Sequence, residues 1–388
     1  MLNVINKDKC TGCKACYHAC PKNAIEMKAD EEGFLYPYIN DKCINCNLCR
    51  RICPVINEKT EYNNGQPKVI GAYSNNENER KKSSSGGIFY ELARYILEKN
   101  GVVIGAGYDK DMKVIHKIIY SEDEISLLQG SKYVQSDTLE TFKKVKEIIK
   151  ENKRILYIGT PCQIAGLKAY LKNDYELLYT CDLICHGVPS PMVWSKYLNE
   201  KKSKGNIKEC YFRNKDKGWN KFGLKIVYED DKNDTELLNK DKFLQLFLKN
   251  YSLRPSCYDC KFSKIPRVAD ISLGDFWGVE GEYKEFCDDK GTSLILINNE
   301  KGRDLFNNIS ANLIYKENCN LDYAIKYNSC INSSVEKPEN RKEFFNDLED
   351  KDFKQLVKKY IPKEKGIINR IIAKLHRIVK KIINYQGG

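Results

Sequence analysis

The apolar positions of this chain fall into short runs, helical stripes and one long two-faced stretch, and each pattern predicts its own element. VIGAYS at 69–74, GVVIGAGYD at 101–109, RILYIG at 154–159, ELLYTCDLIC at 176–185 and GTSLILINN at 291–299 read as strands. Helical spacing appears in IFYELARYILEKN, where Ile88, Phe89, Leu92, Ile96 and Leu97 share a face, and in IAGLKAYLK just after RILYIG. A further helix is expected after HGVPSP at 186–191. Strand–turn–helix twice over predicts a parallel α/β sheet, whose ligands gather at the carboxyl ends of its strands. From about residue 300 the chain turns helical and polar. In the tail, Ile367, Ile368, Ile371, Ile372, Leu375, Ile378, Val379, Ile382 and Ile383 fill one side of a helix, and Arg370, Lys374, Arg377, Lys380 and Lys381 fill the other. Such a basic amphipathic helix lies in an anionic membrane interface or docks on its own domain or a partner.

One stretch follows none of these patterns. It reads Cys10-x2-Cys13-x2-Cys16-x3-Cys20-Pro21, then Cys43-x2-Cys46-x2-Cys49-x3-Cys53-Pro54. This is the bacterial ferredoxin spacing, in which three close cysteines grip one 4Fe–4S cube and the fourth ligates the other cube. Cys10, Cys13, Cys16 and Cys53 are therefore expected on one cluster, and Cys43, Cys46, Cys49 and Cys20 on the second. Thiolate suits the soft iron of a sulfide cube. A zinc knuckle or a disulfide-rich module would not need the doubled pattern and both prolines. The spacer at 24–41 reads as a short hairpin turning at Gly33, and KTEYNNGQP at 59–67 as a linker.

Length and composition bound the rest. A chain of 388 residues is expected to hold two or three domains. The opening MLNVINKDKC is polar and runs straight into the first ligand, so no signal peptide is expected, and no run approaches the roughly 20 apolar residues of a membrane span. Seventeen cysteines, an odd number, argue for metal ligands and free thiols in a reducing cytoplasm. The formal charge of +12 falls to about +8 once two cubes, each about −2 with its thiolates, are counted. The lysines are scattered and lack aromatic stacking platforms, so nucleic acid is not an expected partner.

The larger part of the chain offers several candidate positions. Ser85, Gly86 and Gly87 precede a helix start, a ready anion site, although a serine N-cap is the plainer reading. Gly105-x-Gly107 lacks the third glycine and the helix of a dinucleotide fingerprint. Gly130, Ser131 and Lys132 form a second polar turn. Thr160, Pro161, Cys162 and Gln163 sit where a strand hands over to a helix. That place suits Cys162 as a metal ligand or a reactive thiol. His186, beside Cys185 at another strand end, reads as a proton donor or flavin contact, against a purely structural histidine. Arg213, Lys215 and Lys217 followed by Trp219 could hold an anionic cofactor tail. Cys257-x2-Cys260 is half a metal site. With Cys162 and Cys185, or Cys181, it would complete a third cube, with a structural zinc or unligated thiols as the alternatives. Cys210, Cys287, Cys319 and Cys330 have no spacing that argues for ligation.

Taken together, SSGGIF, QGSKYVQS, GTPCQIAGLK, DLICHGVPSP, FRNKDKGW, LRPSCYDCKF and DISLGDFWG, with the doubled ferredoxin run, resemble the deazaflavin coenzyme F(420) hydrogenase/dehydrogenase beta-subunit family over roughly residues 1–310. The resemblance implies an α+β ferredoxin-like domain at 1–58, the linker at 59–67, and an α/β flavin-binding catalytic domain at 68–310. A helical extension at 311–362 and the amphipathic helix at 363–388 complete the chain. It further implies FAD, with Ser85, Gly86 and Gly87 approaching the flavin phosphates and Gly130, Ser131 and Lys132 lining the same cofactor. Thr160, Pro161, Cys162 and Gln163, with His186 and Gly187, would lie near the flavin ring or a neighbouring cluster.

The expected protein is thus a cytoplasmic iron–sulfur flavoprotein oxidoreductase, peripheral at the inner membrane face if its tail helix engages lipid. Two cubes, and a third if Cys257 and Cys260 are ligands, would hand single electrons to a flavin that exchanges hydride with an organic acceptor or donor. That acceptor would be the deazaflavin coenzyme or another substrate, with surface-polysaccharide synthesis one setting the resemblance suggests. His186 or Asp275 would protonate a substrate atom. The alternative is an electron-transfer subunit serving a separate reductase partner.

Overall fold

The computed structural model describes residues 5–57, 63 and 65–361. The tail helix expected at 363–388 and most of the expected linker lie outside the described residues. Among the described residues no helix is long and apolar enough to cross a membrane.

The first unit is a hairpin, β1 (Ile25–Ala29) and β2 (Leu35–Ile39), set between two short helices, Ala15–Ala19 and Leu48–Arg51. Ile25 faces Ile39 in an antiparallel register. The turn falls at Gly33, with φ +83°. A Cβ there would stand 2.5 Å from that of Met192, so glycine both makes the turn and lets its tip rest on a helix of the larger domain.

The chain then supplies β3 (Lys68–Ser74), β4 (Val102–Tyr108), β5 (Val114–Ile119), β6 (Ile155–Gly159) and β7 (Leu178–Leu183). β8 (Ile207–Asn214), β9 (Gly223–Tyr228) and β10 (Asn233–Leu237) follow, and β11 (Ile271–Asp275), β12 (Ser293–Ile297) and β13 (Leu313–Lys316) end the series. Eight of them form one mixed sheet in the order β13–β3–β12–β11–β7–β6–β4–β5. Its heart, β11–β7–β6–β4, is parallel, and its flanks are antiparallel.

Side chains alternate across this sheet with the period of two that a strand imposes. On β6, Ile155 and Tyr157 join the helices Thr141–Lys150 and Pro161–Leu171, whereas Leu156 and Ile158 join Ile88–Glu98 and Glu300–Ile309. The larger domain is therefore a three-layer α/β/α structure. β8, β9 and β10 form a separate antiparallel meander. Trp194, Phe212 and Phe243 pack it against the helices Pro191–Lys202, Lys242–Leu248, Arg341–Asp350 and Phe353–Tyr360. Two features depart from expectation. The sheet is mixed rather than parallel throughout, and the chain after residue 310 is not purely helical, because β13 pairs with β3 at the sheet edge. Asn63, inside the expected linker, is buried and donates to the carbonyls of Arg267 (2.7 Å) and Ala269 (2.9 Å).

The two domains meet along a dense seam. His18 is buried between Phe142 and Tyr170, with ring centroids 4.9 and 5.7 Å away, and burial lowers its pKa to about 4, so it is a neutral wedge. Lys14 pairs with Asp137, and Tyr17 donates to Glu140 at 2.6 Å. Arg254 is fully buried and donates to the carbonyls of Cys10 (2.7 Å) and Leu35 (3.0 Å) and to Gln135 Oε1 (2.8 Å). Buried hydrogen bonds from a charged donor contribute about 1.5–3 kcal/mol each. Arg341, from the closing helices, reaches across to Glu32 beside the hairpin tip at 2.7 and 2.6 Å. At the centre of the seam, a Cβ on Gly166 would lie 2.8 Å from Cys13 Cβ and 2.9 Å from its Sγ.

Gly166→Ala tests this packing by sign. An exposed helical Gly→Ala change stabilises by roughly 0.5–1 kcal/mol. Here the methyl group must displace the Cys13 loop, so the variant should melt earlier and exchange amide hydrogens faster across residues 10–20. A stabilised variant would contradict the close approach.

Candidate metal centres and cofactor site

Three groups of four cysteines gather in this structure. In the first, Cys10, Cys13, Cys16 and Cys53 line one cavity with Pro54, Val55 and Met27. In the second, Cys20, Cys43, Cys46 and Cys49 line another with Pro21, Ile25 and Leu48. The fourth cysteine of each run thus joins the other run's group, because the hairpin folds the runs against each other. The two loops repeat one backbone path. Gly12 and Lys14 in one, Asn45 and Asn47 in the other, all have φ between +55° and +69° at matching positions.

Both cavities fit a cube. Among the described residues no three ligand-type side chains converge on a single-ion site. The sulfurs instead line a cavity with apolar walls, as a cluster that takes one sulfur at each corner requires. Backbone N–H groups serve the sulfurs: Ala24 donates to Cys20 Sγ at 3.2 Å, Asn45 to Cys43 Sγ at 3.4 Å, and Ala15 and Tyr17 to Cys13 and Cys16. Burial pushes the Cys13 thiol up to about 12, with neighbouring cysteines adding to the rise. Four thiolates packed together would need cationic iron to balance them. The groups differ in depth. Cys10, Cys13 and Cys53 are buried, whereas Cys46 is exposed.

The third group lies in the larger domain. Cys162 follows β6 at the start of helix Pro161–Leu171, Cys185 follows β7, and Cys257 and Cys260 come from a loop before β11. All four share one electrostatic environment. Gly187, at φ +142°, permits the convergence, since a Cβ there would meet Leu253 at 2.8 Å and Cys257 at 3.3 Å. The amide of Val188 donates to Cys257 Sγ at 3.4 Å. Cys181 is excluded from the group, being buried in the sheet core beside Asp182 and Asp270. Cys13 of the first group feels Cys162 of the third, so the two groups are neighbours across the seam.

This placement changes the reading of Cys162. Burial pushes its thiol up to about 12, with Cys260 and Cys257 contributing, and Thr160 Oγ1 lies 3.2 Å away. Cys162 stands beside Cys257 and Cys260 at the start of its helix, the place of a ligand-type cysteine. The Asp275 oxygens are engaged by Arg213 at 2.7 and 3.4 Å and by Trp219 Nε1 at 3.2 Å. His186 Nε2 donates to Asn250 Oδ1 at 2.7 Å, leaving Nδ1 3.8 Å from Cys330 Sγ. Burial lowers its pKa.

The two glycine turns come together. The Ser131 amide and hydroxyl lie 2.7 and 2.9 Å from Ser84 Oγ, and Gln129 donates to Ser83 Oγ at 2.9 Å. Gly86 is needed for packing, because a Cβ there would strike the Ala72 carbonyl at 2.5 Å. Gly87, at φ +91°, opens helix Ile88–Glu98 with no side-chain cap, which leaves first-turn N–H groups for an anion. Lys132 turns back onto the carbonyls of Leu128 and Gln129, both at 2.9 Å. Lys215 holds the Ser85 carbonyl at 2.8 Å, and burial lowers it to about 7. Thr160 and Gln163 cap their own helix, with Pro161 at its first position and Gln163 donating to the Ser136 carbonyl at 3.1 Å. Gly130 is the one turn residue whose Cβ would meet open space.

A single loop, residues 129–137, ties these parts together. One end holds Ser84. The other places Gln135 against the Thr11 carbonyl at 3.1 Å and against Arg254. Between them Tyr133 stacks on Phe247, whose edge meets His186. Sequence reasoning missed Gln135, Arg254 and Cys330, since no local spacing marks them.

The chain is 26% identical over 253 residues to the coenzyme F(420)-dependent sulfite reductase of Methanocaldococcus jannaschii, covering 62% of this chain and 36% of that protein. The chain thus spans about a third of that relative's length. Its structure aligns with a chain of the F(420)-reducing nickel–iron hydrogenase complex of Methanosarcina barkeri, solved as a xenon derivative. The TM-score is 0.49 at 18% identity, covering 70% of this chain and 91% of that one. Residues 3–59 match a 4Fe–4S dicluster domain. Residues 69–143 match the N-terminal part, and residues 152–319 the C-terminal part, of the coenzyme F(420) hydrogenase/dehydrogenase beta subunit. This chain therefore belongs to the coenzyme F(420) hydrogenase/dehydrogenase beta-subunit family, with a 4Fe–4S dicluster domain at its N-terminus.

Proposed function

We propose that this protein is an oxidoreductase that gathers electrons in its ferredoxin-like domain and delivers them, through the cysteine group at the strand ends, to a flavin in the larger domain. The observation that carries this reading is that Cys13 of the inner ferredoxin group lies against Gly166, on the helix that Cys162 of the third group opens. Cubes pass single electrons, and a flavin exchanges one or two, so the pair can link a one-electron source to a hydride acceptor. The acceptor class is a deazaflavin coenzyme, as the names of the relatives suggest, or another organic substrate.

The chain's own residues have defined parts in this reading. Cys10, Cys13, Cys16 and Cys53 would hold the inner cube, and Cys20, Cys43, Cys46 and Cys49 the outer one. Cys162, Cys185, Cys257 and Cys260 would hold the third. Backbone N–H groups aimed at the sulfurs tune the potential of whatever iron they bind. The uncapped start of helix Ile88–Glu98 would take flavin phosphate, with Ser84 and Ser131 beside it. Lys215 keeps that turn in place through the Ser85 carbonyl. Gln135 and Arg254 fix the spacing between the glycine turns and the inner ferredoxin loop. His186, tied to Asn250, would orient the loop that carries Cys185.

Two measurements test the reading. Replacing Cys257 and Cys260 with Ser should remove about four irons per chain and leave about eight, whereas unchanged iron would reject the third cube. Extraction after anaerobic purification should yield about one flavin per chain. A chain with full iron and no flavin would instead be an electron carrier for a separate reductase.

A further inference from the structure

The three cysteine groups are not equally reachable. Cys10, Cys13 and Cys53 are buried beneath the larger domain, and the four cysteines of the third group are partly buried. The outer group is different. Cys46 is exposed, and Ile44 beside it stands 57% exposed on the cavity rim. Around them Lys22, Lys42, Arg50 and Arg51 are all exposed, and none has an ion-pair partner among the described residues. The nearby acids are fewer. Among the described residues Glu26 is engaged by Lys28 and Asn40, which leaves Asp41 beside four cations.

We propose that this face is the docking surface for an acidic one-electron carrier protein, which delivers electrons to the protein at Cys46. The proposal rests on the reading that Cys20, Cys43, Cys46 and Cys49 hold a cube. In the transfer the carrier loses one electron and the cysteine-held group gains it, with no bond made or broken and no proton moved. An exposed isoleucine in a segment that carries Lys22, Lys42, Arg50 and Arg51 suits a partner with an apolar centre and a carboxylate rim. The four cations outweigh a cube's own charge of about −2. At longer range the whole chain, formally +12 and about +8 once two cubes are counted, draws an acidic partner inward. A small coenzyme would need a closed pocket to orient it, and this surface is open, with Ile44 and Cys46 facing solvent.

The test uses the full chain with its iron and an immobilised two-cluster ferredoxin of acidic composition. A basic c-type cytochrome serves as the control of opposite charge. The association rate with the ferredoxin should fall as salt rises. Lys22→Glu with Arg51→Glu should lower it about tenfold at low ionic strength and flatten the salt dependence. The neutral pair Lys22→Gln with Arg51→Gln should give a smaller loss. Iron content in each variant shows whether the cube reading still stands. Full iron with an unchanged association rate would overturn the docking surface alone, as would preferential binding of the basic cytochrome. If the charge-reversed pair loses iron, the neutral pair decides, and an unchanged rate there would likewise overturn the docking surface.

Discussion

The protein depends on one close approach, where helix Pro161–Leu171 lies against the Cys13 loop at a residue without a side chain. Gly166 brings the inner ferredoxin cysteines beside Cys162, which opens the same helix. Arg254 fills the remaining space and satisfies carbonyls from both the Cys10 loop and the hairpin. It stands only three residues before Cys257, so the residue that locks the domains also positions the third cysteine group. Inter-domain contacts within a chain are often loose and polar. This one is pinned by buried charge, by the neutral wedge His18 and by the Arg341–Glu32 pair.

Electrostatics explains why the cysteines are distributed as they are. Buried thiols resist ionisation, and Cys13, Cys162 and Cys257 are each pushed up to about 12. Only a strongly cationic occupant, or backbone donors in number, makes a group of thiolates acceptable there. The repeated left-handed residues of the two ferredoxin loops bend the backbone tightly around each cavity. Depth also separates the two ferredoxin groups, with Cys46 exposed in one and Cys10, Cys13 and Cys53 buried in the other, and burial is a main lever on cluster potential.

Much of this was legible in the chain because it is local. Ligand spacing within each run is a short-range property, and so is the alternation that makes Ile155 to Ile158 face two helical layers. The split of the fourth cysteines followed from the doubled pattern. Long-range partnership was less visible. β13 is four residues long and makes sense only beside β3, and β8 to β10 form a meander whose core includes helices more than 100 residues away. Asp275 sits at a strand end and pairs with Arg213, 62 residues earlier, a partnership that no spacing announces. Cys330 stands 70 residues from Cys260 and reaches His186 only through the fold. Lys132 donates to carbonyls of its own loop, a contact that its neighbours in sequence do not announce.

In the proposed electron path the inner ferredoxin group and the strand-end group are adjacent steps. Electron paramagnetic resonance of the anaerobically purified chain, poised across a redox titration, tests that adjacency most directly. The path predicts about 12 irons per chain and signals from reduced clusters that broaden and split as neighbouring groups become paramagnetic together. Spectra that are the plain sum of two isolated cubes, with no third signal and no coupling beyond the ferredoxin pair, would contradict it.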